Sequence, residues 1–63
     1  MTDEEFIARK LTEFFKEEPH KAVLWMMLEN PLLGNLRPTD LITLGKVNKL
    51  RRFVESLIEG NFP

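Results

Sequence analysis

The sequence predicts an all-α fold, a single small bundle of about four helices, and three observations carry that prediction. Apolar residues recur at helical spacing near both ends of the chain; helix-starting and helix-stopping residues (Thr2 with Glu5, Pro19, Pro38, Gly45, Gly60) punctuate the stretches between; and no segment alternates like a pairing strand. The 63 residues leave room for one domain only. A chain of this size buries about 60% of the surface its unfolded form exposes, so a stability of about 3 to 9 kcal/mol is expected.

Thr2 followed three residues later by Glu5 is a capping-box pattern that starts the first helix. Ile7, Leu11, Phe14 and Phe15 then mark one helical face, with Phe6 at its edge, until Glu17, Glu18 and Pro19 close the element. Pro19 also suits the first turn of a second helix, where its missing N–H costs nothing. The run Ala22 to Leu28 is apolar all round that helix. Such a helix is either central or buries its second face on another chain, and a domain this small offers little to surround it, so a protein partner is expected.

Asn30-Pro31 ends the second helix, and Leu32 to Arg37 is too apolar for a solvated linker, so it should fold back onto the core. Pro38, Thr39 and Asp40 open a short third helix through Leu41, Ile42 and Leu44, stopped by Gly45 in the left-handed conformation. The fourth helix carries Val47, Leu50, Phe53, Val54, Leu57 and Ile58 on one face and ends at Gly60. The expected core is Phe6, Ile7, Leu11, Phe14, Leu24, Trp25 and Leu28, with Leu41, Leu50, Phe53, Val54 and Leu57.

The absence of Cys removes disulfide frameworks, thiolate nucleophiles and Cys-ligated zinc, and suits a reducing cytoplasm. The acidic start MTDEEF does not resemble a basic, apolar leader, and the longest apolar run falls far short of the roughly 20 residues that span a bilayer. A cytoplasmic protein without a membrane role is expected. His20 is the only imidazole, with no second strong ligand beside it, and Ser56 lacks a base at helical spacing. Asp3, Glu4 and Glu5 read as first-turn charges complementing a helix dipole, and LLGNLRP lacks the glycine pattern of a phosphate loop. No enzyme activity, cofactor or metal is expected.

Two features point to binding. Lys46, Lys49, Arg51 and Arg52 stand without an intervening acid at the start of the fourth helix, where positive charge opposes the dipole. They read equally as solvated charges, with Arg51 and Glu55 as an i,i+4 pair, or as a site for a carboxylate or phosphate. Trp25, Met26 and Met27 read as core or as interface; Val23, Met26 and Met27 form a candidate oligomer interface, and a homo-oligomer is expected. With a net charge of −1 and a pI near 5.8, wholesale attraction to nucleic acid is not expected.

Taken together, Trp25, Asn30-Pro31, Leu33-Gly34, Pro38, Asp40-Leu41-Ile42 and Gly45 resemble the toxin-binding domain of the MbcA/ParS/Xre antitoxins over Phe15 to Pro63. The family pattern has a Trp-bearing helix, an N-P-x-L-G-G loop, a Pro-led short helix with an acid and two aliphatics, a Gly, and a last amphipathic helix. Asn35 departs from it at the second glycine, Glu29 at a frequent proline, and Arg37 where a Ser or Thr often caps, so a cap is expected to be lost there. The family's usual N-terminal helix-turn-helix has no room before Phe15, so operator binding is not expected to carry over.

The resemblance implies a partner toxin of the RES type, an NAD-consuming enzyme whose active site is occluded by the region around the domain's C-terminus. The matching partner-binding positions here are Lys49, Arg51 and Arg52 on the fourth helix and Asn61 and Phe62 in the tail. Two alternatives stand beside it. One is a small nucleic-acid-binding regulator using residues 46–52, against which stand the acidic pI and a connection longer than the three or four residues of a helix-turn-helix. The other is a homo-oligomeric adaptor using the Ala22 to Leu28 face.

Overall fold

The computed structural model describes residues 1–60 as a small all-α bundle. Its elements are α1 (Asp3–Phe14), α2 (His20–Met27), a 3-10 turn (Pro31–Leu33), α3 (Pro38–Thr43) and α4 (Val47–Glu59). The capping box forms as expected: the Thr2 hydroxyl accepts from the Glu5 N–H at 3.1 Å, and the Glu5 carboxylate accepts from the Thr2 N–H at 3.1 Å. Hydrogen bonding of the carboxylate to Thr2, the backbone N–H first and then the side chain, holds the Glu5 carboxyl below its ordinary range.

α1 ends at Phe14, before the Glu17–Pro19 stop expected from sequence. Its buried stripe is Ile7 and Leu11, and beyond Leu11 the helix has nothing more to bury. Phe15 takes the half-buried place, while Phe14, expected in the core, is half exposed with its ring edge-on to Phe15 at 4.9 Å. Pro19 adopts helical angles immediately ahead of α2, and its carbonyl accepts from the Ala22 N–H at 3.1 Å.

Leu28 is already extended, so α2 stops just short of Asn30, which organises the next loop. The Asn30 side chain accepts from the Leu32 N–H, its carbonyl accepts from Leu33 and Asn35, and its N–H donates to the Leu36 carbonyl at 3.0 Å. Gly34 and Asn35 follow one another in the left-handed region, at φ 69° and 65°. Asn tolerates this because its short polar side chain relieves the penalty other residues carry there. The double reversal folds the loop back as expected, burying Leu33 and laying Leu36 against the core.

As expected, the Arg37 side chain gives α3 no cap, but Asp40 supplies the other half of a capping box. The Asp40 carboxylate reaches back to the Arg37 N–H at 2.9 Å and also takes Nε and Nη2 of the same residue at 3.2 and 3.1 Å. These contacts lower the Asp40 pKa, the side-chain bond to Arg37 contributing most. At the other end Gly45, at φ 74°, closes a Schellman motif: its N–H donates to the Ile42 carbonyl and the Lys46 N–H donates to the Leu41 carbonyl.

The core is Ile7, Leu11, Leu33, Leu41, Leu50 and Val54. α1 packs chiefly against α4, and the two run in the same sense: Asp3 meets Arg51 near both beginnings, and Phe6 and Lys10 share a dent with Glu55 and Ile58 further along. Parallel neighbours need a crossover, which α2, the 3-10 turn and α3 supply. Of the expected core, Phe6, Trp25, Phe53 and Leu57 are half-buried, whereas Phe14, Leu24 and Leu28 are exposed. Leu33 and Pro38, absent from that expectation, are buried. No helix among the described residues is long and apolar enough to cross a membrane.

Candidate protein-binding site

α2 has no fully buried residue. It lies on the bundle through Ala22, Trp25 and Met26, and the Trp25 ring stacks on Phe53 at 6.1 Å with 16° between the planes. Helical geometry then sends Val23, Leu24 and Met27 outward, and Leu28 continues the ridge, each between 53% and 61% exposed. Beside this ridge a groove of about 240 Å³ runs between α1 and α2, with Ala8 and Thr12 on one wall, Ala22, Val23 and Met26 on the other, and Ile42 among its lining. The small side chains of Ala8 and Ala22 keep it open. Of the candidate oligomer residues, Val23 and Met27 face outward, while Met26 is half-buried against the core.

The basic segment divides on α4. Arg51 Nη1 donates to Asp3 Oδ1 at 2.8 Å, Nε donates to Glu55 Oε1 at 3.0 Å, and Cζ lies 4.1 Å from the centre of the Phe6 ring. Asp3, then Glu55, raises the guanidinium pKa. Arg51 therefore ties α4 to the start of α1. Lys49 and Arg52, three residues apart, share the exposed side of the helix, and neither makes an ion pair among the described residues. The remaining two candidates, Asn61 and Phe62, lie outside the described residues.

Sequence spacing found the Arg51–Glu55 pair but not Asp3, which lies 48 positions away. The available signal was a complementary charge at the edge of each amphipathic face. His20 is exposed, its Nε2 4.0 Å from Glu18, and the described residues contain no cluster suited to a metal ion. Comparison with protein-family models, curated proteins and solved structures finds no match to this chain.

Proposed function

We propose that the chain is a protein-binding module of the antitoxin kind, which holds a partner toxin in the cytoplasm and occludes its active site. The observation that carries the protein-binding part is the α2 ridge. Four large apolar side chains stand more than half exposed on a segment with no charge between Ala22 and Leu28. Contiguous apolar surface of this kind marks an interaction site when it is not scattered singly.

The antitoxin part rests on the resemblance, which names an NAD-consuming enzyme of the RES type as partner. Two features support it. Gly34 and Asn35 take the successive left-handed conformations that a Gly-Gly pair would take without strain. Lys49 and Arg52 stand on α4 as exposed cations able to meet carboxylates of such an enzyme. Arg51, bound to Asp3 and Glu55, supports the fold in this reading and leaves the contact to its neighbours.

The test is titration of a purified RES-type toxin with this protein while NAD consumption is followed. Stoichiometric inhibition is expected, lost on reversing Lys49 and Arg52 to Glu with helicity unchanged. An undiminished rate, with no complex on gel filtration, removes the antitoxin reading. Salt-sensitive binding of random duplex DNA that disappears in the same double reversal supports the nucleic-acid alternative in its place.

A further inference from the structure

We propose that Leu24 and Leu28 of α2 and Lys49 and Arg52 of α4 form one docking surface, joined across the Trp25–Phe53 stack, and that its occupant is an amphipathic helix of a partner protein with carboxylates along one edge of its apolar face. The inference rests on reading the α2 ridge as a protein-binding surface, names the chemistry of what that ridge binds, and is independent of any toxin.

Placement is the first argument. α2 turns Ala22, Trp25 and Met26 inward, and its exposed ridge divides about that line. Val23 lies on the α1 side, where it walls the groove with Ala22 and Met26. Leu24 and Leu28, one before and three after Trp25, stand on the opposite flank, the one from which Trp25 reaches α4, and both are more than half exposed. Across the stack, Lys49 lies about one turn before Phe53 and Arg52 immediately before it, so the cations follow the ring on the exposed side of α4. The two half-buried rings are the floor between leucines on one rim and cations on the other.

Charge is the second argument. The charges at the ends of α2 are of both signs and select nothing: Glu17 follows Lys16, Lys21 Nζ lies 3.0 Å from Glu18, and Arg37, its pKa raised first by Asp40, also feels Glu29. On α4, Asp3 and Glu55 take Arg51. Lys46, Lys49 and Arg52, spaced three apart and exposed, make no ion pair among the described residues, and Glu59 stands about two turns beyond Arg52. Residues 22–28 carry no charge. An uncharged ridge with uncompensated cations on a single rim selects a partner whose carboxylates lie on one side only.

The fold decides the shape of the occupant. The described residues hold helices and one isolated bridge but no strand, so an extended peptide finds no sheet edge to join. Leucines one turn apart beside a second helix suit a partner helix, which lays side chains at i, i+3 and i+4 against them.

Trp25 is the only tryptophan and the chain has no tyrosine, so its emission reports on the floor of the surface. The probe is a synthetic amphipathic peptide of about 18 residues, long enough to hold a helix, with leucines along one face and glutamates along one edge of it, set against the same peptide with lysines for glutamates. The glutamate peptide should shift Trp25 emission to the blue with a Kd of about 100 micromolar or tighter, and the lysine peptide should bind at least about ten-fold more weakly. Lys49→Glu with Arg52→Glu should reverse that order with helicity unchanged. Leu24→Gln with Leu28→Gln should lose both peptides while the cooperative melt persists, because both side chains are already exposed. Equal binding of the two peptides, or an order that the charge reversal leaves unchanged, overturns the proposal. Loss on Val23→Gln with Met27→Gln in place of the leucine pair would keep α2 as a binding face and overturn the joined surface. A dimer of the free chain, seen by sedimentation, that the glutamate peptide fails to dissociate would give the leucines to a second copy and overturn it also. Absence of binding by either peptide overturns the proposal and leaves the toxin titration to decide the antitoxin reading.

Discussion

Arg51 and Asp3 meet at 2.8 Å although 48 residues separate them, and the contact joins the beginnings of two parallel helices. Asp3 occupies the first turn of α1, where a carboxylate already complements the helix dipole, and the guanidinium above the Phe6 ring shields the edge of the core. One side chain thus links dipole, ion pair and ring packing. The same contact sorts the basic segment, keeping Arg51 on the fold and leaving Lys49 and Arg52 to solvent.

Arg51→Ala is therefore expected to lower the thermal midpoint, while Arg52→Ala leaves it unchanged within error. Thermal melts followed by circular dichroism make the comparison directly. Equal midpoints for the two variants would remove the clasp assigned to Arg51.

Acid should weaken the fold through Glu5 and Asp40, whose pKa values are both lowered in the folded state by hydrogen bonds to Thr2 and to Arg37. A lowered folded pKa contributes stability that is fully present above the unfolded value and lost as pH falls through the folded one. Midpoints should stay flat from pH 7 to about 5 and decline below about pH 4, the ordinary range of these carboxyls. Glu5→Gln keeps the capping geometry but cannot titrate, so its decline should be shallower.

Leu50 is completely buried between α1 and α4, and Leu50→Ala should cost about 2 to 5 kcal/mol, most of the stability available to a chain of this size. Trp25→Ala should cost less, about 2 kcal/mol, because its ring is only half-buried and stacks on Phe53 from one side. Urea denaturation of both variants gives the order. A larger loss at Trp25 would place it in the core after all.

Gly45→Ala should cost about 1 to 2 kcal/mol through backbone strain alone, because a Cβ built there meets nothing within 4 Å while φ remains 74°. Gly45→Asn should recover part of that loss, since Asn tolerates the left-handed region. Identical denaturation midpoints for Ala and Asn would show that the closing motif accepts another conformation.

The helices were legible because their signals are local. Capping by Thr2 and Glu5, the turn at Pro19, the left-handed stop at Gly45 and the ends marked by Pro38 and Gly60 depend on neighbours within a few residues, and each appears where the chain places it. The loss of a side-chain cap at Arg37 is legible from residue type, whereas the reach of Asp40 back to the Arg37 N–H, equally local, is the half of the box that the type of the cap residue does not reveal.

The sequence by itself determined the all-α class, the order of the helices and the buried faces of α1 and α4, since periodicity states which residues share a side. It did not determine which side of an all-apolar helix faces inward. Ala22 to Leu28 offers the core hydrophobic groups in every direction, so only the packing of Trp25 on Phe53 chose Ala22 and Met26 to turn inward and left Leu24 and Leu28, both expected in the core, exposed. Phe14 was decided in the same way, by where α1 runs out of partner surface. Tertiary structure also decided the role of Arg51, because a charge pair across 48 residues has no period to reveal it and exists only once α1 and α4 lie side by side.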